Sequence, residues 1–305
     1  MVDLRQLETV VAVVDAGSFT GAADVLGVAQ PTVSQAVRAL EAELGVPLFD
    51  RLRSGAVPTA AGRALVDPAR QALRDAATAR QAVASVAGLV AGTLDLVCLP
   101  TLAVTPVAEL IGRLRVDHDG VVVRLAQPES ADDVLDRVRD ARAEIGFTEL
   151  TAAVLADDGL VAHELARQDF VALVPADGAR RGPVGVDELA RLPIITTPPG
   201  TSTRRQLDEA LAEVGDRPDV VVETDHREAI VALVAAGAGV ALVPAEVAGV
   251  EPPPGTTTRP LSPRVRRRVG AVHRPGPLAP AADALLRLAV PSWPSRRRRP
   301  RPRRR

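Results

Sequence analysis

Residues 18–51 read SFTGAADVLGVAQPTVSQAVRALEAELGVPLFDR, and this stretch decides the organisation of the chain. Ala22, Ala23 and Leu26 give a first helix an apolar side, and Gly27 supplies the positive φ that ends it. Gln30-Pro31 opens a second helix, with the proline where a missing N–H costs nothing. Val33, Val37, Leu40 and Leu44 recur at helical spacing and are expected to face inward. Gln30, Thr32, Ser34, Gln35 and Arg38 are then left on the outer side, with no acid before Glu41. Short hydrogen-bonding groups and one guanidinium suit base edges and phosphates. The arrangement is a helix-turn-helix whose second helix enters a major groove.

On the amino-terminal side, Asp3 with Gln6 forms a capping box, and Leu4, Leu7, Val11 and Val14 stripe a first helix that stops at Gly17. On the carboxyl side, Asp50–Pro58 reads as two short strands joined through Ser54-Gly55, a small wing. Thr59 starts a long helix. Leu65, Ala69, Ala72, Ala76, Ala79, Val83, Val86 and Val90 keep a seven-residue apolar repeat, the period of a helix seam against a partner helix. The many alanines bury little area, and Pro68 is expected to kink the helix or delay it by a turn. The competing reading is a helix packed on its own chain.

Ala91-Gly92 is a hinge, after which apolar runs alternate with helical patterns, as in an α/β domain. Strands are expected near 94–99, 121–125, 144–147, 170–174, 194–196, 220–223, 240–243 and 266–272. Helices are expected near 104–115, 131–141, 186–191, 203–214, 227–236 and 281–288.

The run Gly17-Ser18-Phe19-Thr20, Ala22-Ala23, Leu26, Val28, Gln30-Pro31, Val33-Ser34, Leu40-Glu41, Leu44-Gly45-Val46, Leu48-Phe49 and Arg51 strongly resembles the winged helix-turn-helix of LysR-type transcriptional regulators. The order of elements beyond Gly92 resembles the effector domain of the same family, two α/β lobes of periplasmic-binding-protein type. The resemblance implies a winged helix-turn-helix domain at 1–58, a linker (dimerisation) helix at 59–91 and an effector-binding domain at 92–290. Lobe I would take 92–162 and 265–290, lobe II 163–264, with crossings near 160–165 and 261–266; the Arg-rich tail, 291–305, falls outside it. It also implies double-stranded operator DNA as a partner, contacted by Ser18, Thr20, Gln30, Pro31, Thr32, Ser34, Gln35, Arg38 and, from the wing, Arg51 and Arg53. Self-association as a homodimer or homotetramer is implied, and RNA polymerase becomes a partner if the protein activates. Ala29 replaces a Ser cap common in the family, a loss of about 1 kcal/mol that Gln30-Pro31 partly offsets. Gln35 stands where many relatives carry Arg, so the base preference is expected to differ.

A two-lobed fold of this kind takes its ligand between the lobes, at strand ends and helix starts. Leu99-Pro100-Thr101-Leu102 ends the first strand, and Thr148 ends another. The run Thr196–Arg204 (TTPPGTSTR), with Gly200, Thr201 and Ser202, resembles the family's PxGSxxR loop. Hydroxyls and helix-start N–H groups on one cleft favour a small anionic effector. Each threonine alone could be a helix cap; the convergence carries the binding reading. Gln127 and Glu129, beyond the second strand, are further candidates.

Composition narrows the alternatives. The 305 residues suffice for two or three domains, and Cys98, the one cysteine, lies in a Leu/Val-rich strand, so neither a disulfide framework nor a redox site is expected. His118, His163, His226 and His273 lack ligand spacing, and no Ser/His/Asp or paired-carboxylate arrangement stands out, so no metal, cofactor or enzyme activity is expected. A transport-type binding protein would need an export signal, which is not found; the expected location is the cytoplasm, without a membrane span. Every basic residue is Arg. The net charge of −1 conceals fourteen Arg against one acid after residue 263. Residues 1–62 hold four Arg and seven acids, so placement on the reading helix, not net charge, supports DNA recognition. The tail SRRRRPRPRRR, 295–305, is expected to be solvated and to add non-specific phosphate contacts. Deleting it should flatten the salt dependence of DNA binding, measured by fluorescence anisotropy, without altering the preferred site; an unchanged slope would refute that role.

Overall fold

The computed structural model describes residues 2–52, 55–86, 90–128, 130–177, 182–212, 218–249 and 252–290. Arg53, Glu129 and the tail, all of which carried expectations, lie outside the described residues, as does the side chain of Arg51. The amino-terminal head comprises α1 (Leu4–Ala16), α2 (Phe19–Leu26), α3 (Gln30–Leu44) and the hairpin β1 (Phe49–Leu52) with β2 (Gly55–Pro58). Each helix has a local stop or start. Asp3 and Gln6 form the capping box of α1, Ser18 Oγ accepts from Gly21 N at 3.0 Å, and Gly17, Gly27 and Gly45 close the three helices at positive φ.

The head's core is Val10, Val13, Ala22, Ala23, Val33, Val37, Leu40, Leu48 and Phe49, with Phe19 edge-on to Phe49 at 5.7 Å. The buried side of α1 is therefore Leu7, Val10 and Val13, rotated from the expected Leu4–Leu7–Val11–Val14 stripe; Leu4 is exposed. Leu44 is also exposed, because α3 outruns the body it packs on. Glu41 turns back to accept from Leu48 N at 2.8 Å and Phe49 N at 3.3 Å, fixing the entry to the wing.

The long helix α4 (Ala60–Val86) is capped by Thr59, whose hydroxyl accepts from Gly62 N at 3.1 Å, and it continues through Pro68. Its apolar stripe is divided. Leu65 packs against the head core, Ala69 is buried, Ala72 and Ala76 are half-buried, and Ala79 and Val83 face outward, Val83 being 75% exposed. Arg70 pairs with Asp15 of α1, while Arg74 donates to Ala141 O and lies 3.7 Å from Asp95 in the next domain.

That domain contains β3 (Gly92–Cys98), α5 (Pro100–Leu102), α6 (Ala108–Asp117), β4 (Val121–Ala126), α7 (Ala131–Arg139), β5 (Ile145–Glu149), α8 (Ala152–Leu155) and β6 (Val161–Pro175). It continues with β7 (Val184–Gly185), α9 (Val186–Ala190), β8 (Ile194–Thr196), α10 (Ser202–Ala212), β9 (Val220–Glu223) and α11 (Ala229–Ala235). It ends with β10 (Val240–Pro244), α12 (Ala245–Ala248), β11 (Thr256–Ser262), β12 (Arg266–His273) and α13 (Pro280–Ala289). The strands run β4-β3-β5-β12-β6-β10-β8-β9, with β11 paired to β6 and β7 paired to β11. Each half has its own core: Leu94, Leu96, Val134, Ile145, Phe147 and Leu285 in lobe I, Leu189, Ile194, Leu207, Leu211 and Leu242 in lobe II.

The strand β6 serves both halves. It pairs with β12 from Val161 to Asp169 and with β10 and β11 from Phe170 onward, so the chain changes lobe near Asp169–Phe170. The expected crossing at 160–165 falls too early, since a strand that keeps its alternation while changing partners leaves no break in the pattern. The strand β11 was not expected at all: Pro260 inside the run argues against a strand, although its threonines favour one.

One close approach locks the head to the linker. A Cβ on Gly62 would run into the carbonyl of Leu48, which already accepts from Thr59 N at 2.9 Å. Gly62→Ala is expected to lower the stability of the head by about 1–3 kcal/mol through overpacking, read from urea unfolding followed by far-UV circular dichroism.

Candidate functional site

Two surfaces concern function. On the first, α3 presents Gln30, Pro31, Thr32, Gln35 and Arg38 to solvent, beside exposed Thr20 and half-buried Ser18. Ser34 departs from expectation: it is 8% exposed and lies on the inner side with Val33 and Val37. A helical turn of 3.6 residues brings position 34 next to 37 and 33, which spacing alone does not divide cleanly into two faces. Ser18 is committed as the cap of α2. The remaining outward group is polar, carries one positive charge and contains no acid, a surface able to meet base edges and phosphates.

The second surface lies between the lobes and is centred on Arg267, which sequence reading missed. Its guanidinium is 2% exposed. Nε and Nη2 donate to Gln168 Oε1 at 3.0 and 2.7 Å, Nη2 to Thr101 Oγ1 at 2.8 Å and Nη1 to Ser202 Oγ at 2.9 Å. The group also stands 5.2 Å from the centroid of Phe170. One buried cation thus joins lobe I through Thr101, lobe II through Ser202, and both crossing strands, β6 through Gln168 and β12 through itself. Burial pulls its pKa down to about 10, against the opposing pull of Glu149 and Glu246, so it stays charged at neutral pH.

Glu149 is the second unanticipated residue. Its Oε2 accepts from Ser202 Oγ at 2.7 Å and Arg205 Nη2 at 2.8 Å, and its Oε1 from Gln206 Nε2 at 2.9 Å. Thr201 starts α10, its hydroxyl accepting from Arg204 N at 3.3 Å and sharing a 2.6 Å bond with Thr197 Oγ1. Thr148 is fully buried, and among the described residues its hydroxyl has no hydrogen-bond partner. Of the expected cleft residues, Thr101 and Ser202 meet at Arg267, and Thr201 and Gly200 form the turn before α10. Leu102 does not join them: its side chain is buried in the lobe I core and its N–H donates to Leu99 O at 2.8 Å. An apolar side chain in the first turn after a strand finds its burial under the sheet, not in a polar cleft. Gln127 is exposed just beyond β4.

A signal for Arg267 was present. Val269, Ala271 and His273 alternate inward on β12, and Arg267 is in phase with them, whereas Arg266 and Arg268 face Asp169 and Glu164 outside. Cys98 is buried with its thiol raised to about 12 by desolvation, as an inert side chain requires. His163 and His273, far apart in sequence, meet across β6 and β12 with Nε2 atoms 3.1 Å apart, and burial lowers both pKa values. Among the described residues no group of three or more His, Cys, Asp or Glu could hold a metal ion, and no helix is long and apolar enough to cross a membrane.

Residues 4–63 match the bacterial regulatory helix-turn-helix protein, lysR family, and residues 87–293 match the LysR substrate binding domain. The chain belongs to the LysR family. It is therefore a DNA-binding transcriptional regulator with a small-molecule effector domain, and not an enzyme. It is similar to the HTH-type transcriptional regulator ShiR of Corynebacterium glutamicum, 29% identical over 94% of this chain and 98% of that one. It is also similar to the HTH-type regulator YeiE of Escherichia coli, 30% identical over 89% and 91%. Among solved structures it is similar to a full-length variant of OxyR from Pseudomonas aeruginosa, with a TM-score of 0.74 and 24% identity over 95% and 94% of the two chains. CbnR in complex with its target DNA shares the fold at a TM-score of 0.65 and 24% identity, over 94% and 99%. The winged head and two-lobed α/β domain of this regulator are thus those of full-length LysR proteins.

Because Arg267 supplies the donors for both lobes, Arg267→Met should destabilise the effector domain by about 3–5 kcal/mol in urea unfolding, the cost of leaving buried partners uncompensated. Arg267→Lys should recover only part of this, since one ammonium cannot serve three directions with the fork of a guanidinium.

Proposed function

We propose that the regulator works in the cytoplasm as a homodimer or higher homo-oligomer, binds a roughly palindromic operator, and responds to a small anion held between its lobes. The observation that carries this reading is the buried Arg267, bonded to Thr101 on one lobe and Ser202 on the other. A ligand that alters how these groups are shared binds the two lobe arrangements with different affinity, which is what a response requires. Arg205, Arg227, Glu149 and Glu246 lie within electrostatic reach of Arg267, and Asp225 within reach of Arg227. The hydroxyls of Thr101 and Ser202 and the start of α10 beside the Arg267 guanidinium favour an anion.

Base and phosphate contacts are assigned to Gln30, Thr32, Gln35 and Arg38 on α3, with Thr20 on the neighbouring helix; the wing arginines Arg51 and Arg53 belong to the same proposal through sequence alone. Pairing of two copies is assigned to the outward part of the α4 stripe, Ala79 and Val83. Pairing would set two reading helices at a fixed offset, matching two half-sites of the duplex. RNA polymerase is a partner in this reading only where the regulator activates.

A band-shift assay with the DNA upstream of the regulator's own gene tests the DNA-binding assignment. Arg38→Ala should weaken the specific complex by at least about tenfold, the loss of roughly 1–3 kcal/mol expected for a base or phosphate contact, with unchanged circular dichroism. A folded Arg38→Ala variant that binds like the wild type would remove α3 from the interface.

A further inference from the structure

The cleft offers donors for an anion, and a carboxylate of the protein itself already uses them. Glu149 ends β5 in lobe I and is 7% exposed. Its three side-chain partners, Ser202, Arg205 and Gln206, all lie on the first turns of α10 in lobe II. Ser202 in turn accepts from Arg267, so the carboxylate sits one hydrogen bond from the buried guanidinium. Beside the carboxylate, Arg205 Nε is buried without a partner among the described residues. The site is therefore built for a carboxylate and is only partly satisfied by the one it holds.

We propose that Glu149 is a resident ligand of the carboxylate subsite, and that a carboxylate effector engages Ser202, Arg205 and Gln206 only by displacing it. This rests on the reading of the cleft as an anion-binding site. The chemistry of guest and resident is the same, a planar two-oxygen acceptor facing a guanidinium, a hydroxyl and an amide. The difference is connectivity. Glu149 ties β5 of lobe I to α10 of lobe II, whereas a free carboxylate on α10 leaves β5 untied. Exchange of one for the other thus converts occupancy into a change in how the lobes are joined. It also tunes sensitivity: the apparent affinity for the guest falls by the fraction of molecules in which Glu149 has swung out. The ligand class that follows is a small carboxylate whose remaining groups add enough contact to outcompete a tethered rival.

The test is chemical rescue. In the full-length chain, Glu149→Ala removes the resident and leaves its donors in place. Acetate, titrated at constant ionic strength against chloride, should raise the thermal midpoint of Glu149→Ala saturably, with half-saturation at least about tenfold below any response of the wild type. Glu149→Gln keeps the side-chain volume and covers the case in which the alanine variant does not fold. Its amide lacks the charge that holds it against Arg205, so acetate should stabilise it more than the wild type. Equal acetate responses in the wild type and the folded variants would overturn the proposal. A wild type whose DNA affinity responds to carboxylates, with variants that respond no better, would sink the resident-ligand idea alone. No carboxylate response in any of the proteins would sink the anion reading with it.

Discussion

A guanidinium taken out of water has to find acceptors for its N–H groups wherever the fold can supply them. Arg267 finds them in a crossing strand, in the first turn of α5 in lobe I and in the first turn of α10 in lobe II. Neither lobe alone provides the set. The relative position of the lobes is thereby tied to the satisfaction of one buried cation, and the cost of leaving it unsatisfied far exceeds that of breaking an exposed ion pair. The many pairs on the surface, such as Arg268 with Glu164 and Arg139 with Asp136, carry no comparable constraint.

The head depends on a different kind of constraint, the close approach of backbones. Leu48 is held by Glu41 through its N–H and by Thr59, at the start of α4, through its carbonyl, so reading helix, wing and linker meet at a single residue. Gly62 is the residue that allows it. The linker then touches both neighbours through adjacent turns: Arg70 reaches Asp15 in the head, and Arg74 reaches Ala141 and Asp95 in lobe I. A rotation of α4 felt at one arginine is felt at the other, because a helix transmits rotation along its length.

The head was legible from sequence because its rules are local. Caps, glycine stops and a 3.6-residue apolar period act within a few positions, and Asp3, Ser18, Gly27 and Gly45 do what such residues do in isolation. Errors there were errors of phase: Ser34 and Leu44 sit at the margins of the buried face, where spacing cannot decide. The effector cleft was half legible. Thr101 and Ser202, which meet at Arg267, were legible because they start helices after strand ends, a feature that topology makes general. Glu149, Gln168 and Arg267 were not, because each is defined by its partners across the cleft, from 53 to 166 residues away in the chain. Arg267 shows the limit plainly. Its inward phase on β12 could be read from Val269, Ala271 and His273, but nothing local distinguishes a buried arginine from its exposed neighbours at 266 and 268.

The same distinction bears on how a regulator of this architecture acquires a new ligand. In this structure Glu149 bridges the end of β5 to α10, and Arg267 is satisfied by groups of both lobes. With Ser202, Arg205 and Gln206 fixed by the helix, the chemical identity of the bridge is open to change at a single position on the opposite lobe. A residue with no carboxylate at 149 would leave the donors to a free anion and make closure depend on its concentration. Under the displacement proposal, a carboxylate there makes closure the default and the ligand a competitor. The sign of the response can therefore be set by one side chain at a lobe edge, while the core of each lobe and the reading head stay as they are. That places the evolvable step where burial is local and backbone geometry undisturbed, at the end of a strand and not within it.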